Sequence, residues 1–258
     1  MTTPIVGRQP GAPIHVAIVV PCMDRVHSLF AFDLAQMMTF TASVMPENCG
    51  ISLHFNIGTY IHRSRQELME DVLRMDPRPT HILWLDGDMR FPQDAFIRLL
   101  QRNVPFVGIN YSSRRMPPTY VGIKKVPLGE GEYPGEGVAL VTNDESEGLE
   151  ETDALGFGFV LMEAAALANL PDPDYIPWFS FEYKKDRDGK IHNIGEDVYF
   201  WYRMVKEHLG QRLFCDHDLS KQCSHIGDFE HKFYHPAVTQ EALAEEEAMV
   251  AAIEGAEA

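Results

Sequence analysis

The chain has 258 residues, of which 45% are hydrophobic and 23% charged, and a net charge of −16 with histidine neutral. Those proportions fit a globular chain that buries a core, and the acidic balance disfavours a protein that coats nucleic acid by electrostatics alone. Cys22, Cys49, Cys215 and Cys223 form no CxxC pair and no zinc spacing, and the apolar run near the start is too short to span a bilayer, so a reduced, cytoplasmic protein without a transmembrane segment is expected.

Residues 1–13 are rich in Pro and Gly and read as a loose N-terminal arm. Residues 14–20 are β-branched and bounded by Pro21, which predicts a first strand followed by a loop over 22–27. Ser28 is placed to cap a helix carrying Phe30, Leu34, Met37 and Met38 at helical spacing. A second strand over 51–57 and a helix over 61–75 follow, with Pro77 and Pro79 beyond the helix end.

The third strand is the informative one. Residues 82–85 form a continuous apolar run, as in a strand buried on both faces, and end in Asp86-Gly87-Asp88. On an extended chain two carboxylates two residues apart point to one side. Without a basic neighbour they repel, unless a hard cation or water sits between them. Asp-Gly-Asp is also ordinary turn chemistry. The buried strand ahead of it favours a site at the carboxyl end of a central strand, where open α/β sheets bind ligands.

A helix over 92–102 and a strand over 104–109 complete a β-α-β-α-β-α-β order, which predicts a mostly parallel sheet covered on both faces. The pattern then breaks. Residues 126–153 hold Gly and acids without Lys or Arg and read as surface loops around a short strand at 138–141. A buried strand is expected over 154–162 and a short helix over 163–170. Tyr175, Trp178, Phe179, Phe181 and Tyr183 lie in a Pro-rich loop, as either a satellite core or a stacking wall for a sugar or base. Gly195-Glu196-Asp197 opens a helix, where acids serve as dipole partners or, functionally, as a general base. A last core strand covers 212–215, His225 lies in a histidine-rich segment, and residues 236–258 read as a C-terminal acidic helix. Arg63 and Arg65 open the second helix, where the dipole disfavours cations; they serve either as phosphate contacts or as solvated surface.

In this order the elements resemble a glycosyltransferase of the GT-A fold, of the family-2-like bacterial or phage type: the strand and loop at 16–21, the Arg63/Arg65 helix, Asp86-Gly87-Asp88, Gly156-Phe157-Gly158-Phe159, Gly195-Glu196-Asp197 and His225-Ile226-Gly227. The resemblance implies a single Rossmann-like domain over 14–235, with a nucleotide-binding half at 14–110 and an acceptor half at 111–235. It implies a metal, Mn2+ or Mg2+, on Asp86, Asp88 and His225, with Asp216, His217 or Asp218 as alternative ligands. Pro21, Asp24, Arg25, Arg63 and Asp86 would hold the nucleotide. Gly156, Phe157, Gly158 and Trp178 would line the sugar and acceptor site, and Asp197, with Glu196 beside it, would act as base. The donor would be a nucleoside-diphosphate sugar, a UDP-sugar first. The acceptor stays open among glycan, protein, metabolite and modified nucleic acid base. Two other classes use the same carboxylates: a metal-dependent nucleotidyltransferase or phosphohydrolase, and a non-catalytic nucleotide-sugar-binding protein.

Overall fold

The computed structural model describes residues 13–114, 118–125, 138–185, 191–227 and 230–231. The arm at 1–12, part of the acidic insertion (126–137) and the C-terminal acidic helix expected at 236–258 lie outside them.

Strand β1 (His15–Cys22) is the β-branched run, and helix α1 (Ser28–Val44) follows it. The cap of α1 falls to His27, whose Nδ1 accepts from the Leu29 N–H at 3.2 Å, and Ser28 is already helical. Strand β2 (Gly50–Ile57), helix α2 (Ile61–Arg74) and strand β3 (His81–Leu85) lie where their apolar periods place them. A two-residue strand β4 (Met89–Arg90) precedes helix α3 (Ala95–Gln101) and strand β5 (Phe106–Gly108). The insertion contributes β6 (Ile123–Lys125), β7 (Val138–Ala139) and β8 (Leu149–Thr152). Strand β9 (Phe159–Glu163) runs into a 3-10 turn at Ala164–Leu167, not the longer helix expected there. The hairpin β10 (Glu182–Lys185) and β11 (Ile191–Ile194) leads into α4 (Glu196–Tyr199), which continues as π-helix over Phe200–His208. Strand β12 (Leu213–Asp216), the single turn α5 (His217–Ser220), β13 (Ser224–Ile226) and β14 (Glu230–His231) end the described chain.

The central sheet has seven strands in the order β2-β1-β3-β9-β5-β12-β8. Strands β2, β1, β3, β5 and β12 run one way, and β9 and β8 run against them. This is the Rossmann-like, mostly parallel α/β sheet that the sequence predicts. One neighbour relation differs: β9 inserts antiparallel between β3 and β5. The β5–β9 approach is close, since a Cβ on Gly108 would stand 2.8 Å from Val160 Cγ2 and 3.0 Å from the Phe159 carbonyl. β8 is an edge strand where the sequence predicts surface loop; its Glu150 and Glu151 are held by His217 and Arg212.

Two cores flank the sheet. Ala17, Val19, Ile82 and Trp84 face α2 and the π-helix; Val16, Ile18, Leu83 and Leu85 face α1 and α3. Phe157, Phe179, Phe200 and Trp201 interlock in the first core, with Phe179 and Phe200 stacked at 4.7 Å. Each such fully buried large side chain contributes roughly 1.5–3 kcal/mol. No helix among the described residues is long and apolar enough to cross a membrane.

Candidate functional site

The apolar run of β3 delivers Asp86 to the carboxyl end of the parallel strands, where the backbone turns at once. The Asp86 N–H donates to the Gly158 carbonyl (3.1 Å), and the Met89 N–H donates to the Asp86 carbonyl (3.2 Å). Gly87 lets the loop after β1 lie against this turn: a Cβ there would meet Val26 Cγ1 at 2.9 Å, and the His27 N–H donates to the Gly87 carbonyl at 2.8 Å.

Because the chain turns rather than extends, Asp86 and Asp88 engage different partners, which corrects the expectation of two carboxylates aimed to one side. Asp86 accepts from Arg65 Nη2 at 3.0 and 3.3 Å. Asp88 faces Arg114, at 2.9 Å, and His225 Nε2, at 3.4 Å. Each carboxylate has its own cation, so the repulsion assumed from sequence is relieved by protein groups.

His225 reaches Asp88 because β13 pairs antiparallel with β4, His225 opposite Met89, and the Ile226 N–H donates to the Asp88 carbonyl at 2.7 Å. The Ser112 carbonyl lies 3.1 Å from His225 Nδ1 and can only accept, so Nδ1 carries a proton in that contact and Nε2 is the nitrogen turned toward Asp88. Burial pushes the Asp88 carboxyl up, but the hydrogen bond and charge of His225 and the charge of Arg114 outweigh it and hold the group below the ordinary aspartate value. One carboxylate and one oriented imidazole, Asp88 and His225, are the residues that would hold a manganese-type ion here, with substrate and water oxygens needed as further ligands. Asp86 is committed to Arg65, and among the described residues no three His, Cys, Asp or Glu side chains cluster to hold a metal. Asp216 and Asp218 are bound by Arg102, and His217 is buried between Thr142 and Glu150, so these three have structural partners.

Arg65 is the hub of the second half. Its side chain is 5% exposed, and its Nη1 donates to Glu196 Oε1 at 2.6 Å while Nη2 holds Asp86. Its guanidinium lies 4.8 Å from the Phe157 ring centre. Arg65 thereby ties the end of β3 to the start of α4. Asp197, the next residue on α4, accepts from the Val198 N–H at 2.7 Å. Burial, then the Glu196 charge, with Asp86 adding to them, push the Asp197 carboxyl up to about 6 against the opposing pull of Arg65.

Tyr111 joins the two halves. Its ring meets His225 edge-on at 5.3 Å, and its phenol oxygen accepts from the Gly158 N–H at 3.1 Å. Burial, with the Asp86 charge next, keeps the phenol well above its ordinary pKa and therefore neutral.

Several expected contacts are placed elsewhere. A Cβ on Gly156 or Gly158 would stand 2.2 or 2.8 Å from the Tyr111 hydroxyl oxygen, so these glycines receive Tyr111 instead of lining a sugar pocket. Phe157 is buried among aromatic rings. Trp178 is buried too, and its indole N–H donates to the Pro171 carbonyl at 2.8 Å; it is satellite core, not a stacking wall. Arg63 is 74% exposed and pairs along the helix with Glu67. Asp24 and Arg25 pair with each other on the exposed loop after β1, and Pro21 is buried in that strand. The sequence gives no role to Tyr111 or Ser112 and marks Arg114 only as half of a basic pair with Arg115 that could form a phosphate patch. It also assigns the nucleotide contact to Arg63 although Arg65, with Leu68, Met69 and Val72, falls on the buried stripe of α2. A charged residue on an apolar stripe was the available signal.

No protein-family model and no curated protein matches the chain. Among solved structures, the crystal structure of A197 from STIV is similar, with a TM-score of 0.52 and 15% identity over 83% of this chain and 87% of that one. A glycosyltransferase involved in the glycosylation of the major capsid of PBCV-1 also matches, with a TM-score of 0.28 and 15% identity over 59% of this chain and 61% of that one. At this identity the first likeness shows a shared fold alone.

Proposed function

We propose that the chain is a metal-dependent glycosyltransferase of GT-A type that moves a sugar from a nucleoside-diphosphate sugar, a UDP-sugar first, to a hydroxyl acceptor. The observation that carries this reading is the arrangement around Asp86-Gly87-Asp88: an oriented Asp88–His225 pair on one side, and on the other Arg65 leading to Asp197, whose carboxyl is pushed up to about 6. Mn2+ or Mg2+ held by Asp88 and His225 would supply Lewis-acid stabilisation of the leaving diphosphate.

The chain's own residues do the rest. Arg114 is 55% exposed on its side chain and carries a guanidinium beside Asp88, suited to developing phosphate charge. Asp197 takes the proton of the acceptor hydroxyl as its oxygen bonds the anomeric carbon and the bond from that carbon to the diphosphate oxygen breaks; displacement on the opposite face inverts the centre. Arg65 holds Glu196 beside Asp197, and the Glu196 charge helps hold Asp197 basic. A two-metal phosphohydrolase would need a further free acid next to Asp88, and Asp86 is taken by Arg65.

Calorimetric titration of the protein with UDP, with and without Mn2+, tests the site. Binding that requires the metal and is lost in Asp88→Ala and weakened at least tenfold in His225→Ala supports it. Metal-independent binding, or binding indifferent to both changes, overturns it.

A further inference from the structure

Helix α1 and strand β2 together form a surface unlike the rest of the molecule. α1 has 17 residues and β2 has eight, and at the chain's 23% charged fraction about six charges would fall on them. They hold one, Asp33, which is buried and ion-paired to Arg90. Large apolar side chains point outward instead: Leu29, Phe32 and Val44 on α1, and Leu53, Phe55 and Ile57 on β2, with Phe32 57% and Phe55 44% exposed. A surface helix normally carries charged residues on its outer face; that of α1 sets Leu29, Phe32 and Val44 among uncharged Gln36, Thr39 and Ser43.

The strand points the same way. β2 is the edge of the sheet and pairs only with β1 among the described residues. Its register with β1 is continuous over eight residues, and β2 itself has no bulge, proline or charge. These are among the devices that commonly keep strand edges apart. Leu53 and Phe55 stand opposite Ile18 and Val20, which pack under α1, so the exposed strand residues lie on the α1 side of the sheet.

We infer that this face binds a second copy of the chain, β2 against β2 antiparallel about a two-fold axis. Electrostatics opposes two copies of net charge −16 over most of their surface and opposes them least at this uncharged strip. Geometry favours this occupant. A two-fold axis perpendicular to the sheet runs the two strands antiparallel and keeps both α1 helices on one face, closing over Leu53, Phe55 and Ile57 of both copies. A 17-residue helix beside the strand presents a face about 25 Å long and 15–20 Å deep, roughly 400–500 Å² in projection before surface relief is counted, against the roughly 800 Å² per partner of a standard-size interface, so the area is of the right order. The Asp88–Asp197 site lies at the carboxyl end of β3, two strands inward, and stays open in each copy.

Sedimentation equilibrium of the full chain tests this, alongside Phe32→Asp on the helix, Phe55→Asp on the strand and Tyr175→Asp at an exposed position elsewhere. The expected wild-type mass at micromolar concentration is about 58 kDa, twice the 29.2 kDa of one chain. Phe32→Asp and Phe55→Asp each weaken the dimer at least a hundredfold and leave a folded monomer by circular dichroism, while Tyr175→Asp stays dimeric. Three results overturn the inference. One is a wild-type monomer at every concentration. Another is a dimer indifferent to both aspartates. The third is a wild-type monomer that Phe32→Asp destabilises, which shows the face covered by a segment of its own chain.

Discussion

Arg65 donates one guanidinium nitrogen to Asp86 and the other to Glu196, and so fastens the end of strand β3 to the start of helix α4. The first expectation concerns that bridge. All three side chains are mostly buried, so removing the cation leaves two carboxylates facing each other without compensation. Arg65→Met is expected to lose about 3–5 kcal/mol in urea unfolding, as when one partner of a buried pair is removed. Arg65→Lys is expected to lose part of that, because an ammonium does not reproduce the fork that reaches both acids. A loss below about 1 kcal/mol in Arg65→Met, the range of exposed ion pairs, would mean the bridge is surface-like.

Asp197 gives a signed pH dependence. Its carboxyl is pushed up to about 6 from an ordinary 3.8, so between those values the folded protein holds a proton that the unfolded chain has released. Stability therefore falls as pH rises through that window, and the penalty is complete above about pH 6. Asp197→Asn removes it. The variant is expected to be roughly 1–3 kcal/mol more stable than wild type at pH 7 and equal to it near pH 3. Activity should move the other way, rising with pH to a half-maximum near 6 in wild type and absent in the variant. A variant no more stable at pH 7 would contradict the placement of Asp197.

Tyr111 and Gly156 should couple. A methyl on Gly156 collides with the phenol oxygen at 2.2 Å, so Gly156→Ala is expected to cost about 1–3 kcal/mol by overpacking. Tyr111→Phe removes that oxygen and leaves the Gly158 N–H without its acceptor, at about 1–3 kcal/mol. The double variant is expected to cost less than the sum of the two, by at least 0.5 kcal/mol in a double-mutant cycle. Strict additivity would show that the two groups do not touch.

How much of this the sequence carries varies by element. Strands β1 and β3 and helix α2 are legible because their burial pattern is local: a continuous apolar run or a clean helical period. The insertion of β9 is not, since a buried run of four apolar residues looks the same whichever way it points and whichever strands it joins. Asp86-Gly87-Asp88 announces itself, but the direction of each carboxylate is set by Arg65, 21 residues before Asp86, and by Arg114 and His225 after it. Trp178 misleads for the same reason: the carbonyl and aromatic rings that bury it are assembled only by the fold. Arg65 was within reach, because its phase on α2 matches Leu68 and Val72 whereas that of Arg63 does not.

In the proposed reaction Asp88 and His225 hold the ion against which a nucleotide sugar is cleaved. The most direct measurement is release of nucleoside diphosphate from a panel of nucleotide sugars without acceptor, with Mn2+, with Mg2+ and with chelator. Slow, metal-dependent release from one donor is expected, reduced at least a hundredfold in Asp88→Ala, with that variant folded by circular dichroism. Release unaffected by chelator and by Asp88→Ala, or no release together with no calorimetric binding of any nucleoside diphosphate, would contradict it.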